Sequence, residues 1–291
     1  MSNKKDLLII YFFIVIEVMI LINSHEVIDS VKSSSVMFIT KVFPSLFPTM
    51  VVGNILTKQG FYKVIPNFIK KIFHKLFNFN DVMTGVFITA KITGSPSNAI
   101  YIDELLEKKL LNEKEAELLL CTTHFVNPLF VIGGVGIYVF NSVKIGVLLL
   151  LTLWISNFIK VFINRKKFIS SYTHKKEYKH NNIINDVTDS IKSSVNSSLL
   201  IFGIIIMFSL LVSLIGFVFN LSNTVQTVVG GLLEMTGGIM KLSNLPLNFI
   251  VKFILSYYFL NFGGLCIQMQ TFGMIKNKKI RYLKYLIFRL I

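Results

Sequence analysis

The chain has 291 residues, with 30 Lys and Arg against 15 Asp and Glu, for a formal net charge of +15. It is 53% hydrophobic and only 15% charged, with a mean hydropathy of +0.65, whereas soluble domains carry about 25% charged residues. That excludes a soluble fold. A nucleic-acid reading of the charge is also excluded, because the lysines concentrate in loops between apolar runs, where the positive-inside rule places them.

In chain order, residues 7–22 follow Lys4-Lys5 and read as a first, retained span with Glu17 on its protein-facing side; no small-residue cleavage site follows. Residues 36–56 are a second continuous span. Lys58, Lys63, Lys70, Lys71 and Lys75 then form a basic cytoplasmic loop containing the amphipathic run "FYKVIPNFIKKIFHKLF", which suits a membrane interface. Residues 81–110 read as a hairpin turning at Gly94-Ser95-Pro96-Ser97-Asn98. Residues 115–140 are an apolar segment broken at Asn127-Pro128, and residues 145–163 span again. A basic loop at 164–182 follows, then a continuous span at 199–220. Residues 223–245 form a second hairpin, with Gly230-Gly231 and "MTGG" at 235–238. The last apolar segment, 247–272, is broken at Asn261-Phe262-Gly263-Gly264, and a basic tail completes the chain.

Crossing parity assigns the hairpins. An even number of spans must separate two cytoplasmic loops, so of 81–110, 115–140 and 145–163 one does not cross, and the segment with a turn in its middle is the natural choice. The same count makes 223–245 re-entrant from the outside. The acidic run "DELLEKKLLNEKEAE" is then expected to be an amphipathic helix on the cytoplasmic surface.

Short motifs recur in the same order: "DSVKSS" at 29–34 and "DSIKSS" at 189–194, "MTG" at 83–85 and 235–237, "FVNPLF" at 125–130 and "FLNFGG" at 259–264. The expected fold is therefore an all-α integral membrane protein, polytopic, of about six spans plus two re-entrant hairpins in inverted repeats. Its parts are an N-terminal span (1–28), a first repeat (29–163), the basic cytoplasmic loop (164–182) and a second repeat (183–291) whose last helix is short. The N-terminus is expected in the cytoplasm.

Backbone that leaves the helix at membrane depth has unpaired amides and carbonyls, and it survives only inside protein or beside a polar cavity. In the first hairpin Gly94 allows close approach, Pro96 stops the helix, and Ser95, Ser97 and Asn98 supply donors and cap the returning half. Asn127 and Asn261 sit at the two helix breaks, where an amide can hold a solute or satisfy backbone freed by Pro128 and Gly263. Lys91 and Glu234 precede the two hairpin turns and are candidates for an ion pair or for a charged solute, and His124 is a candidate proton carrier. Lys41, Lys160 and Lys252 read as snorkelling side chains near span ends.

The stretch "KITGSPSNAIYIDELLEKKLLNEKEAELLLCTTHFVNPLFVIGGVGIYVF" and the later "FLNFGGLCIQMQTF…NKKIRYLKYLIFRL" resemble the YlbJ family of sporulation integral membrane proteins, of the nucleoside-recognition or Gate domain class. Gly94, Pro96 and Ala99 match that family's first hairpin, with Asn98 where a second glycine is usual. Asn127, Pro128, Gly263, Gly264 and Gln270 match too. The resemblance implies a membrane role in endospore formation, in the mother-cell or forespore membrane, with a build like that of concentrative nucleoside transporters.

The resulting expectation is a transporter-like sporulation protein that binds or moves a small polar solute, with a coupling cation as an optional partner and oligomerisation left open. A non-transporting membrane scaffold is the alternative. Candidate solute-binding residues are Gly94, Ser95, Pro96, Asn98, Asn127, Pro128, Glu234, Asn261, Gly263, Gly264 and Gln270. No enzyme motif is present, and Cys121 and Cys266 have no metal or disulfide spacing, so no cofactor, metal or nucleic-acid partner is expected.

Overall fold

The computed structural model describes residues 4–168, 182–276 and 279–290, and all regular structure among them is helical. Most of the basic loop expected at 164–182 lies outside the described residues. Helix α1 (Lys4–Ile22) touches the rest through Ile16, Met19 and Ile20, which pack near Leu210 and Leu214. Among its described side chains Ile16 is the buried one and Glu17 is exposed, so the expected inward position of Glu17 is corrected: it lies one residue, about 100° of helix, off the contacting stripe.

Two long helices organise the molecule. Helix α2 (Ser24–Lys58) runs 35 residues, with a π-wound turn at Phe38–Val42 just before Pro44 and Pro48. Pro44 brings no amide and crowds the preceding carbonyl, so the helix accommodates it by widening a turn. Helix α9 (Ile183–Val218) runs 36 residues. The polar motifs and the apolar runs that follow them, read above as separate pieces, are thus single rods. At 1.5 Å per residue each is about 50 Å long, so its serine-rich start extends past an apolar core of about 30 Å. The two pair side by side in opposite directions: Ser213 Oγ donates to Ser30 Oγ at 3.0 Å near one end, and Asn54 Nδ2 donates to Ser194 Oγ at 3.0 Å near the other.

A short helix α3 (Asn67–Phe77) follows α2 and packs Phe73 and Phe77 against the body. Each long helix is succeeded by a helical hairpin. The first pairs α4 (Asp81–Thr93) with α5 (Ser97–Glu107) around residues 94–96. The second comes after α9 and pairs α10 (Asn223–Leu233) with α11 (Met235–Ser243) around Glu234. Side-chain caps start three of these rods: Asn80 accepts from Met83 N, Ser222 from Val225 N, and Glu234 from Thr236 N and Gly237 N. The second hairpin closes on glycine, since a Cβ on Gly238 would lie 2.2 Å from Gly231 N.

Each hairpin leads into a broken helix. Helix α6 (Glu113–Thr122) stops, residues 123–127 run outside any helix, and the chain resumes as α7 (Phe130–Phe140). Pro128 explains the gap, because it bars Asn127 from helical backbone. Helix α12 (Phe249–Phe262) is separated from α13 (Gly264–Gly273) by Gly263 alone, at φ +78°. Helix α8 (Val143–Asn164) lies against α7, and α14 (Tyr282–Leu290) is nine residues long, as its sequence required. By length and composition, four helices among the described residues can cross a membrane: Ser24–Lys58, Val143–Lys167, Ile183–Val218 and Phe249–Gly273.

The acidic run is not one surface helix. It divides between α5 and α6 at a turn closed by an Asn112–Glu115 capping box, and the basic tail folds onto its carboxylates. Lys276 Nζ meets Glu107 at 3.0 Å, Lys279 meets Glu113 at 2.7 Å, and Arg281 grips Glu117 with Nε at 2.9 Å and Nη2 at 3.1 Å, with Lys284 on the same carboxylate. An excess of acid beside basic loops thus has its partner 160 residues or more further along the chain.

Candidate functional site

The turns of both hairpins and both helix breaks face one another. Ser95 and Pro96 from the first turn, His124 and Asn127 from the first break, Glu234 and Thr236 from the second turn and Gln270 from α13 line one small pocket, whose walls include Val42 and Leu46 of the π-wound stretch. It leaves about 30 Å³ for water-sized occupants, and a water needs about 10–15 Å³ of such space.

The first turn is held against the first break by backbone. Gly94 sits at φ +79°, and a Cβ there would lie 2.5 Å from Asn127 N, so the position demands glycine for both conformation and room. Ser95 N donates to Phe125 O at 2.6 Å. Asn98 Nδ2 donates to Thr123 O at 3.1 Å and Thr123 Oγ1 at 3.0 Å, while its oxygen accepts from Ser95 Oγ at 2.9 Å. The expectation that serine or Asn98 caps the returning half is corrected: α5 has no side-chain cap, and Asn98 lies inside the helix with its amide turned to the break.

Asn127 ties three elements together. Its Nδ2 lies 3.1 Å from Ser45 O, 2.9 Å from Thr49 Oγ1 and 3.1 Å from Thr93 O, and its oxygen accepts from Leu129 N at 2.9 Å. The amide therefore caps the helix resumed after Pro128 and holds α2 and α4 to it.

The second turn sits on the second break. A Cβ on Gly264 would be 3.1 Å from both Leu233 O and Met235 N. Glu234 is 2% exposed and its carboxylate caps α11, accepting from Thr236 N at 3.0 Å and from Gly237 N. The N-terminal amides favour negative charge there. Gln270 Nε2 lies 3.1 Å from Cys266 Sγ, beneath the pocket.

Several sequence candidates lie elsewhere. Lys91 stands 4.1 Å from the Trp154 ring centroid and 4.8 Å from that of Phe158, and the ion pair expected between it and Glu234 is not made. The reason is positional: Lys91 is one turn before its hairpin tip and faces α8, whereas Glu234 is the tip itself. Asn261 does not line the pocket; its oxygen accepts from Lys160 Nζ at 2.9 Å. Lys160 does not snorkel, being 5% exposed. It places its ammonium at the last turn of α12, where the helix dipole favours a cation. Pro128 and Gly263 shape the breaks without lining the pocket.

His124 lies in the break itself. Its Nδ1 is 2.9 Å from Tyr285 Oη. A Cβ on Gly263 would meet its ring at 2.8 Å. Arg289, fully buried, donates to Cys121 O at the last turn of α6. Lys160 and Arg289 thus occupy the C-terminal ends of the two interrupted helices. Sequence reading missed Tyr285 and Arg289, because only the folded tail brings them to the break; the arginine inside the apolar run 285–291 was the available signal.

A wider cavity of about 700 Å³ opens between α2, α9 and α11, with Lys32, Lys41, Ser213 and Lys241 on its walls. Glu234 borders both cavities.

No protein-family model matches the chain, and no solved structure matches it. The chain is 23% identical to the sporulation integral membrane protein YlbJ of Bacillus subtilis (strain 168), over its whole length and 81% of that relative. An integral membrane relative spanning the entire chain, together with four helices able to cross, makes this a multi-pass helical membrane protein.

Proposed function

We propose that this chain handles a small polar solute at the pocket between its two hairpin turns, in the service of spore formation, and that it catalyses no reaction. The observation that carries the reading is the meeting of two hairpin tips, the first helix break and α13 around Ser95, His124, Asn127, Glu234, Thr236 and Gln270. Irregular backbone of this kind is costly in a membrane and is retained beside sites that bind polar solutes.

Inverted repeats complete the proposal. Its support is the order of long helix, hairpin and broken helix, which occurs twice, and the antiparallel pairing of α2 with α9, the corresponding helix of each half. On this reading the first hairpin enters from the cytoplasmic side and the second from the opposite side. The pocket of about 30 Å³ is the closed state, and the 700 Å³ cavity is the approach to it, divided from it by Glu234.

The scaffold alternative draws on the basic helix α3 and is separated by experiment. Single replacements Ser95→Ala, Thr236→Val and Gln270→Leu, checked for undiminished protein in the membrane, are expected to abolish sporulation. If these are silent while changes on α3 are not, the solute reading is overturned.

A further inference from the structure

Helix α3 carries an arrangement that the solute pocket does not use. At 100° per residue, Ile69, Phe73 and Phe77 form one stripe and Phe68, Ile72 and Leu76 the next. The first packs inward: Phe73 lies 5.6 Å from Phe87 and Phe77 lies 5.8 Å from Phe158, ring to ring. The second is open, with Phe68 65%, Ile72 49% and Leu76 41% exposed. Lys71 and Lys75 border that open stripe on its far side, and both are exposed.

The fold then adds charge from a distant segment. Asn78 Nδ2, at the end of α3, donates to Arg165 O at 3.1 Å, and Phe79 stacks edge-on against Phe168 at 4.9 Å. This fixes Arg165-Lys166-Lys167 beside α3. Among the described residues, no carboxylate pairs with Lys71, Lys75, Arg165, Lys166 or Lys167, whereas Lys70, on the inward side, is matched by Asp81 at 3.0 Å.

From this we infer that α3 and the Arg165–Lys167 turn form a binding site for anionic phospholipid. The open apolar stripe enters the acyl region, and the cations above it take the headgroup phosphates. A zwitterionic headgroup brings its own ammonium and leaves the five cations unmatched, so charge complementarity selects a net-negative lipid. The site is independent of the solute reading.

The test is thermal unfolding of the detergent-purified full chain, titrated with short-chain phosphatidylglycerol, phosphatidylcholine or glycerol 3-phosphate at constant ionic strength. Phosphatidylglycerol is expected to raise the midpoint by several degrees, with the other two inactive. The triple variant Lys71→Gln, Lys75→Gln, Lys166→Gln is expected to melt normally without lipid and to lose that response. Equal stabilisation by phosphatidylcholine, or a response retained in the variant, overturns the proposal. So does full stabilisation by glycerol 3-phosphate, which would mark a free-anion site.

Discussion

Asn127 serves five groups with one side chain: two carbonyls and a hydroxyl on its amide nitrogen, two backbone amides on its oxygen. Asn127→Asp keeps the size and the helix cap but sets a carboxylate against acceptors, while Asn127→Ala removes both functions. A buried polar group left without a partner costs about 1–3 kcal/mol. Both variants are expected to melt lower than the parent, Asn127→Asp the lower of the two, in a thermal unfolding series. Equal and unchanged midpoints would show that the amide is not a structural tie. Gly94 makes a different demand. Gly94→Ala meets a positive φ and the backbone of the first break together, so it is expected to loosen the tip against residues 125–127, read as faster amide exchange there, with α9 unaffected.

At the scale of elements, the tail and the α5–α6 acids form one electrostatic clasp. Arg281 and Lys284 share Glu117, and beyond them Tyr285 touches His124 and Arg289 reaches Cys121 O. The clasp therefore seats α14 on the first break. Replacing Glu117 with Lys is expected to release the tail and raise its susceptibility to trypsin, and the double change Glu117→Lys, Arg281→Glu to restore much of the protection. A tail equally resistant in the single variant would remove the clasp from the account.

Hairpins and breaks were legible because glycine and proline interrupt apolar runs at Gly94-Ser95-Pro96, Asn127-Pro128 and Gly263-Gly264. The turn at Glu234 was not, since the neighbouring glycines serve close packing and the turn is made by an extended glutamate that caps the next helix. The clasp was hidden as well: its partners are far apart in sequence, and local charge counting saw only a misplaced acidic run. Lys160 and Arg289 were misread or missed for the same reason, because what stabilises each is the end of another helix.

For the whole molecule, the central claim is that the two hairpins approach one polar pocket from opposite faces of the membrane. Lys114 and Asn223 are both exposed and flank the first and second hairpins at their open ends. In a background with Cys121 and Cys266 replaced, single cysteines at these two positions can be probed with a membrane-impermeant maleimide. Intact cells are expected to label Asn223→Cys and not Lys114→Cys, with permeabilised cells labelling both. Labelling of the two positions from the same face would contradict the opposed hairpins, and with them the account of the pocket.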